Sequence, residues 1–183
     1  MKGVLIGVLA IGAVLAAARF ASVRRQLQTE RQEVDAAWQE VDSALEERAS
    51  LIPSLAEALE RASPQHGAAV SGSVSKAREA LANGRTPEEK IAANSRLSNA
   101  LARLLELSER YPKLRSDKNF TRLEEAIGGT ENRIAVERRK YNESLEHYNS
   151  SIQMFPGNIV GAFAGFRRND AYFQTDPGAA AKE

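Results

Sequence analysis

A chain of 183 residues is long enough for one domain with a real core and short for two. Its 25 basic and 24 acidic residues nearly cancel, which removes any global pull towards nucleic acid, an acidic substrate or an anionic surface. With no cysteine it has no disulfide framework, no thiolate nucleophile and no thiolate metal site.

Along the chain, "MKGVLIGVLAIGAVLAAARF" comes first and carries no charge between Gly3 and Ala18. As a helix that run covers about 24 Å, against roughly 30 Å of bilayer hydrocarbon. Arg19 can snorkel, so Phe20, Ala21 and Val23 extend the span. The expectation is a single-pass anchor over residues 1–23. The competing expectation is a signal peptide cut after Ala18, at Ala16-x-Ala18, releasing an exported soluble binding module. Arg19, Arg24, Arg25 and Arg31 outnumber Lys2 and the α-amine, and the positive-inside rule then puts the body of the protein in the cytoplasm.

Beyond the anchor, Phe20, Val23, Leu27, Val34, Ala37, Val41, Ala44 and Leu51 recur at helical spacing. Glu30 and Arg48 interrupt that stripe and weigh against a strict two-stranded coiled coil, so homo-oligomerisation through it is left open. Trp38, beside the seam, is its largest packing element. Pro53 is expected to kink or restart the helix, and Ser63-Pro64 with Gly67 to stop it, leaving His66 in a loop. A second helix is expected over about Ala68 to Ala82. A third opens at "TPEE", where Thr86, Pro87 and Glu89 form a capping-box start, and ends at Tyr111-Pro112.

The fourth helix, from near Asp117, carries Phe120, Ile127, Ile134, Tyr141, Tyr148 and Phe155 at intervals of seven, with Leu145 and Ile152 widening the stripe. The repeated pairs Tyr141-Asn142 and Tyr148-Asn149 in "YNESLEHYN" are thus read first as rungs of a packing ladder, with a ligand-facing amide pair as the other option. Gly128-Gly129 marks a local bend or a close helix approach. The fold class expected is all-α: one transmembrane helix, then an elongated antiparallel four-helix bundle of two long and two shorter helices over 24–155. An up-down-up-down order would bring residues 156–183, an aromatic and basic segment with a flexible tail, back to the bilayer. Phe155, Phe163, Phe166, Arg167 and Arg168 are the candidate membrane-surface contacts, or else the segment only caps the bundle.

"AAWQEVDSALEERASLIPSLAEAL", "RYPKL", "TENRIAVERRKYNESLEHYNSSIQMFP" and "GFRR…YF" resemble the LemA family of bacterial membrane-anchored proteins, in register from about Ala36 to Phe173. The block Thr130–Pro156 is the most specific part, and Thr130, Glu131, Asn132, Arg133, Tyr141, Asn142, Tyr148 and Asn149 are its mainly structural motif residues. Ser54 after "LIP" and the acidic Glu46-Glu47 depart from the family pattern. The resemblance implies a helical bundle on an inner-membrane anchor with a short N-terminus outside. It brings no catalytic residue.

A separate search for chemistry gives no catalytic, metal or cofactor assignment. Glu143 and His147 stand four apart as an ordinary helix pair, "ERRKYN" alternates in sign like a solvated face, and there is no nucleophile elbow or phosphate loop. The function expected is therefore non-enzymatic: a membrane-anchored helical protein that binds or scaffolds another envelope protein, with no nucleic-acid partner. The exported alternative would recognise its ligand around Asn132, Tyr141 and Asn142.

Overall fold

In a computed structural model, residues 2–174 are described, except the side chains of Leu5, Gln65 and His66; the tail expected to be flexible, from 175, lies outside them. All regular structure among these residues is helical: α1 (Lys2–Ala62), α2 (Pro64–Asn83), α3 (Pro87–Ser108), α4 (Pro112–Arg115), α5 (Lys118–Gln153) and α6 (Gly157–Ala164). α1 is one helix of 61 residues, with Pro53 inside it rather than at a break. α2 starts earlier than expected, with Pro64 in its first turn, which places His66 in the helix and not in a loop. α3 begins as its sequence dictates. The Thr86 hydroxyl accepts from the Glu89 N–H, the Glu89 carboxylate accepts from the Thr86 N–H, and Pro87 occupies the first turn. The short α4 opens at Pro112, between the expected end of the third helix at Tyr111-Pro112 and the expected start of the fourth near Asp117, a stretch to which the sequence assigned no element.

The chain forms two compact units, each drawing on both long helices. The first comprises the residues up to Ala37 with Lys140–Asp170, the second Trp38–Arg139 with the segment from Ala171.

In the second unit α2 and α3 pack on each other, and side-chain bonds join α3 to α1 and the start of α4 to the start of α2. Lys90 of α3 pairs with Asp42 of α1. Tyr111 Oη donates to Ser63 Oγ at 2.6 Å. Leu45, Ile52, Leu55 and Leu59 of α1, Leu97, Leu101 and Leu104 of α3, and Phe120 of α5 are all essentially removed from water. Ile127 and Ile134 continue the α5 ladder in this unit.

In the first unit Tyr141, Leu145 and Tyr148 of α5 are buried, as are Val23, Leu27 and Val34 of α1. Val160 of α6 packs with Val23 and Leu27, with Ile152, Ala164 and Phe166 against them. Two glycines make that packing feasible. A Cβ at Gly157 would sit 1.9 Å from the Ser151 carbonyl oxygen, and Gly165 ends α6 at φ +78, a left-handed conformation natural only to glycine. The α5 ladder stops one rung early: Phe155 lies beyond Gln153, the last residue of α5, and is 79% exposed.

The seam of α1 also differs from the pattern expected. Glu30 and Arg48 do not interrupt it; both are buried members of it, at 4% and 3% exposure. The buried positions Val23, Leu27, Glu30, Val34, Val41, Ala44 and Arg48 keep the three-four spacing through both charges.

Gly128 and Gly129 sit inside α5, and a Cβ on either would meet nothing within 4 Å. No neighbouring helix demands a glycine there. Gly128→Ala and Gly129→Ala are therefore expected to raise stability by about 0.5–1 kcal/mol each, through backbone entropy alone. Thermal unfolding of the full chain in detergent micelles, followed by circular dichroism, checks this; a loss of stability would place a required backbone distortion at the pair.

Candidate functional site

The motif block Thr130–Pro156 and the segment after α6 hold most of the candidate residues, and they fall into three polar constellations.

The first lies in the second unit around Arg48. Its guanidinium donates through Nη2 to Glu131 Oε1 at 2.7 Å, and through Nη1 to Ser98 Oγ at 3.0 Å and Asn94 Oδ1 at 3.3 Å. Burial lowers the Arg48 pKa from its ordinary value, and the neighbouring Glu131 carboxylate offsets only part of that. Arginine nonetheless stays charged at neutral pH, so the site is a buried cation bound by one half-exposed carboxylate and two neutral acceptors. Three helices contribute: α1, α3 and α5. Next to Glu131, Arg133 reaches Glu47 at 2.6 Å and Glu40 at 3.7 Å on the surface. Thr130 is buried and returns its hydroxyl to the Ile127 carbonyl at 2.7 Å, while Asn132 faces solvent.

The second lies in the first unit around Glu30. Its Oε1 accepts from Gln26 Nε2 at 2.9 Å and Ser151 Oγ at 3.0 Å, with His147 Nδ1 3.6 Å away. His147 thus stands beside Glu30 of the other long helix, a neighbour that its spacing from Glu143 did not suggest.

The third holds the segment that follows α6. Asn149 uses both ends of its amide: Nδ2 donates to the Asn169 carbonyl at 2.6 Å, and Oδ1 accepts from the Asn169 N–H at 3.0 Å. Tyr148 Oη donates to the Arg167 carbonyl at 3.2 Å. In the second unit the chain is held further along, where Phe173 stacks on Trp38 with centroids 6.2 Å apart and lies under the Arg138 guanidinium at 4.8 Å. Arg138 Nη2 also donates to the Gln174 carbonyl at 2.6 Å. "ERRKYN" is therefore not merely a solvated face, since Arg138 holds the segment at Phe173 and Gln174 and Tyr141 is core. Asn142 is half-buried on α5, where it is not free of partners.

Among the five candidate membrane-surface residues, Phe155, Phe163, Arg167 and Arg168 are exposed. Phe166 is not: it is half-buried against the Val23–Leu27–Val160 cluster, because the left-handed turn at Gly165 folds it inward. Among the described residues no group of three or more His, Asp or Glu side chains is placed to hold a metal ion. α1 is the one helix among them long and apolar enough at its N-terminal end to cross a membrane, and that stretch is wholly exposed.

The block that builds the first and third constellations also decides the family, since the LemA family model matches residues 37–183. The chain belongs to the LemA family. It is similar to Magnetosome protein MamQ 2 of Paramagnetospirillum magneticum, 33% identical over 87 residues, which is 48% of this chain and 32% of that protein. It is also similar to Magnetosome protein MamQ of Magnetospirillum gryphiswaldense, 30% identical over 97 residues, 53% of this chain and 35% of that protein. The chain thus spans about a third of the length of these curated relatives.

For this LemA-family chain, the two tyrosine–asparagine pairs have unequal duties. Tyr148-Asn149 clasps the returning segment, and Tyr141 fills the core. Sequence reasoning missed Arg48, Arg138, Trp38–Phe173 and Asn169 as members of these constellations, and no local signal marks them. Each hydrogen bond joins residues between 20 and 83 positions apart, and the Trp38–Phe173 ring pair joins residues farther apart still.

Two expectations follow. Glu131→Ala strands the buried guanidinium and should cost about 2–3 kcal/mol, whereas Arg48→Met removes the charge with the need for a partner and should cost about 1–2 kcal/mol. Chemical denaturation of the two variants gives the ordering, and the reverse order would show that Arg48 acts mainly through its packing.

The second concerns alkaline pH. Burial pushes the Tyr148 phenol above its usual value; Arg31 opposes this, while Asp35 and Glu30 add to it. The folded chain then holds that proton more tightly than the unfolded one. The stability this supplies is complete below about pH 10 and is lost as pH rises through the higher folded value. Tyr148→Phe should flatten the loss of helicity above about pH 10, at the expense of one hydrogen bond worth about 1 kcal/mol at neutral pH. Unchanged alkaline titration in the variant would assign that transition to other groups.

Proposed function

We propose that this LemA-family protein is a non-enzymatic, single-pass membrane protein of the bacterial envelope, whose helices form a four-helix bundle that binds or scaffolds another protein. The observation that carries the reading is the first part of α1. It is apolar, wholly exposed and continuous with a helix whose later residues are packed. A contiguous apolar surface of that length is unstable in water, and bilayer hydrocarbon is the medium that removes it.

Several features support a structural rather than a catalytic role. Arg48, Glu30 and Asn149 are buried, and each is engaged in joining helices or holding a segment. The basic residues Arg19, Arg24, Arg25 and Arg31 favour a cytoplasmic body. Homo-oligomerisation through the α1 seam is not part of the reading, because Glu30, Val34, Val41 and Arg48 are already buried within one chain. The MamQ relatives are magnetosome proteins.

The chain has no native cysteine, so a single cysteine at Ser116 reports the side of the membrane. In intact cells it should resist a membrane-impermeant thiol reagent and react after lysis. Sequencing of the mature N-terminus should find residues 1–18 retained. A mature chain beginning at Arg19, with Ser116 labelled in intact cells, would replace this reading with the exported soluble module.

A further inference from the structure

Outside the apolar run that ends at Phe20, the exposed large hydrophobic residues are not scattered. Among the described residues Val136 stands alone, and the other four, Met154, Phe155, Ile159 and Phe163, fall within ten residues at the end of α5 and along α6. Phe163 is 82% exposed, the highest value in the group. α6 is thus two-faced. Val160 and Ala164 look onto Val23 and Leu27 of α1, while Ile159 and Phe163 look away.

The position of that patch along α1 is set by the Val23 and Leu27 contact. At about 1.5 Å per residue, Val23 lies about 7.5 Å past Ala18, the last residue of the uncharged run. About 20 residues of helix fill the hydrocarbon layer, so a span that begins near Gly3 ends near Ser22. The contact with α6 therefore comes at the level where hydrocarbon gives way to headgroups. Aromatic and long apolar side chains are favoured at that level, and an amphipathic segment settles about 5–10 Å into it.

Charge points the same way. Arg24 and Arg25 flank Val23 on α1, and Arg167 and Arg168 follow Phe166; all four are exposed. Arg168 also pairs with Asp170 at the surface. The neighbourhood combines an apolar aromatic face with a basic margin, which suits anionic phospholipid. A water-soluble partner protein would match the apolar face without a reason for the margin, or for the coincidence of depth.

We propose that the outer face of α6, with Met154 and Phe155, is a second membrane-contact site that rests in the interfacial layer of an anionic bilayer beside the α1 anchor. This rests on the membrane-anchor reading above. α1 supplies attachment, and α6 fixes the tilt and height at which the first unit leaves the membrane. Phe166 has no part in the contact, being turned into the core.

The test uses the full chain with single cysteines carrying a bimane fluorophore, at Phe163→Cys, at Val8→Cys in the anchor and at Ser116→Cys as a water-exposed reference. The proteins are reconstituted in vesicles of roughly three parts phosphatidylcholine to one part phosphatidylglycerol. Quenching is measured with aqueous iodide and with nitroxide-labelled lipid. The position 163 probe should be quenched by the lipid nitroxide and shielded from iodide about tenfold relative to position 116. If position 163 is as open to iodide as position 116 while position 8 is quenched by lipid, the second contact is wrong and the anchor stands. If positions 8 and 163 are both open to iodide, the anchor reading fails and the second contact falls with it. Shielding at 163 without lipid quenching would mean that protein, such as another copy of the chain, covers the patch, and would overturn the proposal. Phe163 is outside the core, so its replacement leaves the fold intact, and an unchanged helical circular dichroism spectrum verifies that.

Discussion

Burial of one face of α5 is the constraint on which the rest of this molecule depends. Phe120, Ile127, Ile134, Tyr141 and Tyr148 are each no more than 4% exposed, and they recur every seven residues through both compact units. Fully burying a side chain of this size contributes on the order of 2 kcal/mol, a sizeable share of the stability of any single domain. The rungs of that ladder also set where the polar residues between them point. With Tyr148 turned inward, its neighbour Asn149 reaches Asn169; with Ile134 turned inward, Glu131 one turn earlier reaches Arg48. The polar contacts are consequences of apolar register.

Charged residues at core positions then make that register specific. An apolar seam alone tolerates sliding by a turn or more, because one leucine serves much like another. A buried guanidinium with acceptors on two other helices does not, since a shift of one turn leaves it in the core without them. Arg48 fulfils this role in the second unit, and Glu30, with Ser151 and Gln26, has a comparable position in the first. Both cost desolvation energy, which offsets much of the stability their partners supply, so a single packing register is the larger part of what they contribute.

Local signals made the helices and their starts legible from the sequence. The Thr86–Glu89 capping box, the apolar period of α5 and the uncharged run before Arg19 all act over a few residues, which is the range over which sequence patterns report physics. What failed was non-local or broke a rule of thumb. Arg48 and Glu30 looked like interruptions because a lone charge in a seam is normally exposed, and the partners that reverse this, Asn94, Ser98 and Glu131 for Arg48 and Ser151 for Glu30, lie elsewhere in the chain. Phe166 looked like a surface aromatic because a single left-handed glycine, one residue before it, redirects the chain. Trp38 was recognisable as a large packing element, but nothing local could supply Phe173 as the ring it stacks on.

The clasp at Asn149 has a further meaning for how this protein ages. Its amide pairs with the N–H and carbonyl of Asn169 much as one peptide unit pairs with another in a sheet. Deamidation would replace the donating nitrogen with an oxygen, which would face the Asn169 carbonyl and repel it. That reaction begins when the backbone nitrogen of the next residue, Ser150, swings round to attack the side chain, and inside α5 the backbone is held too rigidly for it to do so. The helix that aims the amide thus also preserves it chemically, and the first lasting damage after a local unfolding of α5 would be a clasp that cannot close again.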